Sequence, residues 1–256
     1  MSWTEPRALS LTFVIRHPKL QLLRVPKSPM LRVNFSTQRT SPATHLARGK
    51  LTVTFTFACA SLGWSGAAIA AVGGPSAATY GEITSEGFAD LCRDHRIKLS
   101  KMDVFADLGS GMGRCVMQAA QDFGVQRACG VEMALSRHHS AVASLSRGST
   151  EVASRVQFFQ GDCVEPLLWE PAGAPLRGVT VLYVASLLFS KQLMARLAQR
   201  IVEGAAGGTH QLRAVATLKR FRRGALRPAG LRERLPPAMI RMTWNPNQPV
   251  YIYVRK

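Results

Sequence analysis

Asp107, Gly109, Gly111, Gly113, Glu132 and Asp162 are the residues whose types and spacing could do chemistry together. Asp107 sits in an apolar run, Phe105-Ala106-Asp107-Leu108, and Gly109-Ser110-Gly111-Met112-Gly113-Arg114 follows directly. The stretch reads as a strand, a nucleotide-binding turn and the start of a helix over 114–123. Glycines in such a turn carry no Cβ to block a ligand and permit a positive φ, while the helix start presents free N–H groups. The dinucleotide fingerprint G-x-G-x-x-G needs glycine at 114, where the chain has Arg114, so the pattern is G-x-G-x-G instead. A second strand over 128–132 ends in Glu132, about twenty residues beyond the first glycine, where a carboxylate can bind both ribose hydroxyls. A third, Val156-Gln157-Phe158-Phe159, runs into Gly161-Asp162, an acid placed to accept from an adenine amino group.

The elements that must hold these residues alternate along the chain. A helix is read over 85–95, then strands at 104–107, 128–132, 156–160, 179–184 and 212–218, with helices at 114–123, 136–145 and 191–202 between them. This order implies an α/β fold with a mostly parallel sheet covered on both faces. Ile240–Trp244, a turn at 245–249 and Val250–Val254 read as a closing antiparallel hairpin.

Charge divides the chain differently. Residues 1–50 carry +8, residues 51–190 carry −2 and residues 191–256 carry +12, which together make the net +18. A near-neutral centre between two basic ends favours a polyanionic partner, a nucleosome or nucleic acid. Lys219, Arg220, Arg222 and Arg223, in a run continuing to Arg234, are the contact candidates. Three segments follow: a basic extension over 1–50, an uncharged apolar segment over 51–74 and a catalytic domain over 75–256. Residues 1–50, with Glu5 their one acid, suit an organellar transit peptide or a disordered nucleic-acid-binding arm. Leu51–Val72 is uncharged for twenty-two residues, but its Thr, Ser and Gly content leaves a marginal anchor, a cleaved targeting segment and a packed arm all open. The five cysteines form no C-x-x-C and are read as free thiols in a reducing compartment. His138 and His139 are adjacent on a helix and cannot pair on a metal, so no metal site is expected.

The glycine loop with Glu132 and Asp162 resembles the S-adenosylmethionine site of class I methyltransferases. Thr79-Tyr80-Gly81-Glu82 upstream, Asp107 to Gly113, and Gly130-Val131-Glu132 together resemble the disruptor-of-telomeric-silencing family, non-SET histone-lysine N-methyltransferases, over about residues 78–218. The resemblance implies a Rossmann-like seven-stranded sheet, S-adenosylmethionine as cofactor, a lysine on the nucleosome core as acceptor and a nuclear location; the transit-like N-terminus points instead to an organelle, and a class I methyltransferase acting on a small molecule, RNA or an organellar protein, or a non-catalytic binding protein on the same fold, are the alternative readings. It also implies that Tyr80, Gly81 and Glu82 close over the methionine end. Asp107, Leu108, Gly109, Ser110, Gly111 and Gly113 would hold the carboxylate and sulfonium side, Glu132 the ribose, and Asp162 with Cys163 the adenine. Where the family has Asn-Asn-Phe-x-Phe, this chain has Ala185-Ser186-Leu187-Leu188-Phe189, so Tyr80, Ser186 and Phe189 are the expected substrate-pocket lining. No catalytic base is assigned.

Overall fold

The structure, a computed structural model, describes the strands at 9–15, 31–36 and 51–57 and residues 82–255. The chain divides into two units, with the boundary after residue 62. In the first, β1 (Leu9–Ile15), β2 (Leu31–Ser36) and β3 (Leu51–Phe57) form an antiparallel sheet in the order β1-β3-β2. Leu9 and Leu31 both sit opposite Phe57. The segment 51–57, part of the run weighed above as an anchor, is thus a strand. Its alternation of threonine with Val and Phe has the period-two pattern that suits one. Among the described residues no helix is long and apolar enough to cross a membrane. The remainder of the expected extension and of 58–74 lies outside the described residues.

The second unit runs α1 (Ser85–Arg93), β4 (Val104–Leu108), α2 (Arg114–Asp122), β5 (Arg127–Glu132), α3 (Leu135–Leu145), α4 (Thr150–Arg155), β6 (Val156–Gln160), β7 (Val181–Val184), α5 (Lys191–Ala206), β8 (Ala214–Thr217), β9 (Leu231–Ile240) and β10 (Gln248–Arg255). These strands make one seven-stranded sheet in the order β6-β5-β4-β7-β8-β10-β9. Pairing is parallel from β6 to β8, and antiparallel where β10 inserts between β8 and β9. Alternation along the strands feeds two apolar layers. On one face Phe105 packs with Phe88 of α1 and Val116 and Ala119 of α2; on the other Leu108 and Leu182 pack with Leu197 and Ile201 of α5. Cys92, Cys115, Cys129 and Cys163 are all buried, free thiols.

Two elements differ from expectation. α4 buries no residue and so shows no apolar stripe, but Ser149 caps it by accepting from the Val152 N–H. The hairpin's first arm is Leu231–Ile240 rather than 240–244, so Arg232 and Arg234 lie on a strand. Pro236 and Pro237 disguise that arm in the sequence; β9 is the sheet edge, where one side of the strand needs no ladder bonds.

Candidate active site

β4 and β7 are parallel neighbours, yet the chain leaves β4 toward β5 on one side and β7 toward β8 on the other. A crevice must open at the carboxyl ends of strands that diverge in this way. A cleft of about 360 Å³ lies there. Its floor is the β4–α2 turn, in which Gly109, Gly111 and Gly113 all have positive φ. The Gly109 and Ser110 N–H groups both donate to the Val131 carbonyl at 2.8 and 3.1 Å, tying the turn to β5. Gly113 caps α2 at φ +80°, and a Cβ there would stand 2.3 Å from the Phe158 ring. Gly130 answers it across the sheet, since a Cβ would fall 2.6 Å from Ser110 Oγ. The Gly-Val-Glu glycine therefore lets β5 pass under the turn.

Four carboxyls face this cleft. Glu132 is buried; its Oε2 accepts from the Gly111 N–H at 2.9 Å and its Oε1 from the Ala134 N–H at 2.8 Å, with Arg137 Nε at 3.3 Å. Two backbone donors aim this carboxylate and leave lone pairs for a ligand diol. Asp162 accepts from the Val164 N–H at 3.1 Å, with Arg196 3.5 Å away. Glu82 pairs with Arg114 at 2.7 Å. Its backbone is clamped to the hairpin, because Glu82 N–H donates to Thr243 Oγ1 and Thr243 N–H donates back to the Glu82 carbonyl. Asp107 is different. It is 2% exposed, and its Oδ1 has no hydrogen-bond partner. Burial, then the charges of Glu132 and Glu82, push its carboxyl well above the usual range.

The predicted residues separate on this geometry. Glu82, Asp107, Gly109, Ser110, Gly111, Glu132, Asp162, Cys163 and Phe189 all lie on the cleft wall. Tyr80 and Gly81 are outside the described residues. Leu108 does not reach the cleft; its side chain is fully buried in the α5 layer, because alternation along β4 turns it away from the turn's open side. Gly113 acts through packing against Phe158. Ser186 corrects a pocket assignment: it is fully buried and bonds Thr217 Oγ1 at 2.6 Å, while its Oγ accepts from the Lys219 N–H at 2.9 Å. It joins the end of β7 to the end of β8. Ser186→Ala should therefore cost about 1–3 kcal/mol of stability by stranding the part-buried Lys219 N–H and leaving the Thr217 hydroxyl with its Lys219 carbonyl partner alone. Chemical denaturation checks this, and an unchanged midpoint would return the hydroxyl to the substrate side.

Of the basic run, Lys219 turns its Nζ inward onto the Phe189 carbonyl. Arg220 pairs with Glu233 at 2.7 Å and lies over the Tyr251 ring. Arg222 and Arg223 remain exposed. Sequence reasoning passed over Arg114, Arg137, Thr243 and Trp244, which also line the cleft. The two arginines stand close to the glycine loop and to Glu132 and could have been read from that proximity. Thr243 and Trp244 carry no local signal, since the β9–β10 hairpin brings them in.

The cleft suits S-adenosylmethionine, which has a cationic sulfonium, an amino-acid zwitterion and an adenosine. A buried carboxyl with one oxygen unpartnered, a turn of three glycines and a buried, backbone-aimed Glu132 are what those groups require. Fold and site define a class I S-adenosylmethionine-dependent methyltransferase. Residues 73–225 match the family described as histone methylation protein DOT1, and the chain belongs to that family. A protein-lysine N-methyltransferase of Saccharolobus islandicus (strain REY15A) is 42% identical over 71 residues, 27% of this chain. The match spans less than half of that relative, 44% of its length. Among solved structures, an RNA methyltransferase from Salinibacter ruber in complex with S-adenosyl-L-homocysteine aligns at 22% identity and a TM-score of 0.42, covering 67% of this chain and 88% of that one. A SAM-dependent methyltransferase from Thiobacillus denitrificans, with the same ligand, aligns at 20% identity and a TM-score of 0.39, covering 53% and 48%.

Proposed function

We propose that the chain methylates the side-chain nitrogen of a protein lysine, with histone in the nucleosome as its substrate class. The observation that carries this reading is the chemical division of the cleft. Strands β4, β5 and β6 deliver Asp107, Glu132 and Asp162 to one part, whereas the β7–β8 side and the hairpin contribute Ala185, Leu187, Leu188, Phe189, Leu218 and Trp244. An apolar channel of that kind fits the aliphatic stem of lysine. It also disfavours the ammonium form, so the acceptor loses its proton to solvent before transfer. When bound, the cofactor supplies a methyl group on a cationic sulfur, and the N–CH₃ bond forms as the S–CH₃ bond breaks. The chain's task is to align a neutral amine and exclude water, which can contribute about 7–11 kcal/mol without a dedicated base. With Ser186 buried and Ala185 on the wall, that alignment comes from shape rather than from side-chain amides.

The test offers intact nucleosomes, free histones, total RNA and an organellar protein extract in parallel to the full chain with methyl-labelled cofactor. Label on a lysine of nucleosomal histone is the expected result. Label on RNA, or on the organellar extract alone, would overturn the histone reading.

The basic C-terminal region supports a polyanionic partner for the same reaction. Of the four contact candidates Arg222 and Arg223 are exposed and extend from the fold, whereas Lys219 turns inward and the exposed Arg220 pairs with Glu233. Changing both arginines to alanine should weaken nucleosome or DNA binding and lower the salt slope of log K by about 2. An unaltered slope in a titration from low to high salt would remove them from the contact.

A further inference from the structure

We propose that Lys219 is a positioning residue for methyl transfer, its ammonium strapping down the turn at 186–189 that forms the acceptor side of the cleft. The inference rests on the reading that the β7–β8 side receives the acceptor. Ala185, Leu187, Leu188 and Phe189 line that side, on the short bridge between the end of β7 and the start of α5. The bridge makes one turn, closed by the Phe189 N–H donating to the Ser186 carbonyl at 2.9 Å. Residues 186–189 belong to neither strand nor helix, so contacts from elsewhere in the chain must set their geometry.

Lys219 supplies such contacts at both ends of the turn. Its N–H donates to Ser186 Oγ at 2.9 Å, and its Nζ donates to the Phe189 carbonyl. Thr217 Oγ1 donates to the Lys219 carbonyl at 3.1 Å, which leaves the Ser186 hydroxyl to donate to Thr217 at 2.6 Å. The side chain works from behind the wall. Leu218 lines the cleft, while Lys219, the next residue, lines a separate groove between α5 and residues 219–228. It therefore acts on an acceptor through Phe189 rather than by touch. A bond from an ammonium is shorter and stronger than one between neutral groups, which suits it to hold a loop still. With alanine at 185, the ring and leucines of this turn set where the amine stands relative to the methyl group. A misplacement of about 1 Å there can cost on the order of 100-fold in rate.

The test uses two variants of the full chain: Lys219→Met keeps the stem and removes the donor, and Lys219→Arg keeps a cationic donor. Amide hydrogen exchange reads the strap without any acceptor. In Lys219→Met the amides of 186–189 should exchange faster than in the wild type, while those of β4 and β5 stay as they are. Transfer from S-adenosylmethionine is then measured on whichever of the four acceptors the wild type labels. The methionine variant should lose about 10–100-fold in kcat and the arginine variant should recover most of that loss. Calorimetry should show unchanged affinity for S-adenosylhomocysteine in both. Unchanged exchange at 186–189 would overturn the proposal. A parallel loss of cofactor affinity would also do so, by making Lys219 a general support of the fold, as would a raised KM with kcat intact, by making it a surface contact for the acceptor. A wild type that labels RNA instead of histone would end the histone reading, and the exchange and kcat results would still decide this one.

Discussion

Asp107→Asn should lower affinity for S-adenosylmethionine by roughly 10–150-fold while raising the thermal midpoint of the ligand-free chain at pH 8. The first effect follows from removing a buried negative charge beside a cationic ligand, a charge-assisted interaction of about 1.5–3 kcal/mol. The second follows from the state of that carboxyl without ligand. It is 2% exposed, its Oδ1 lacks a partner, and its nearest charges are other carboxylates. Burial first, then Glu132 and Glu82, raise its pKa above the unfolded value. The native state therefore holds this proton to higher pH than the unfolded chain does. Its contribution to stability is fully present below about pH 4 and is lost as pH rises through the raised native value. The asparagine variant lacks that titration, so its midpoint should fall less with rising pH than the wild type's.

A cationic ligand favours the ionised carboxyl, so binding should release a proton across the same window. Calorimetry of cofactor binding in buffers of different ionisation enthalpy would count it. Proton release as large in the asparagine variant as in the wild type would exclude Asp107 as its source.

Gly113→Ala should destabilise the chain by about 2–5 kcal/mol, measured by urea unfolding. The left-handed conformation at φ +80° costs a side chain about 1–2 kcal/mol. The added Cβ would also sit 2.3 and 2.5 Å from two atoms of the Phe158 ring and 3.1 Å from Ala141 Cβ. Overpacking of that kind costs about 1–3 kcal/mol more. Phe158→Ala in the same chain removes the ring, so the double variant should lose less than the two single variants summed. Strict additivity would mean that the turn, not the ring contact, governs this glycine.

The parts of the fold and site that could be read from sequence are those decided by neighbours along the chain. The glycine pattern, the acids ending β5 and following β6, and the alternation of strand and helix each depend on a few consecutive residues. Their periodicity and turn chemistry survive into the structure because a parallel strand cannot return without a crossover. β9 escaped because its two prolines are tolerated at an edge, and edge position is a property of the assembled sheet. Ser186 escaped for a related reason. Whether the hydroxyl after β7 faces the cleft or the core depends on Thr217 and Lys219 of the neighbouring strand and loop, more than thirty residues away. Local chemistry, then, already specified a nucleotide-binding turn, its acids and an α/β frame. Sheet order decided the rest: it inserted β10 between β8 and β9, carried Thr243 and Trp244 to the cleft, clamped Glu82 to the hairpin, and left Asp107 buried with its Oδ1 unpartnered. Those outcomes rest on contacts between distant segments, which residue spacing along one strand does not encode.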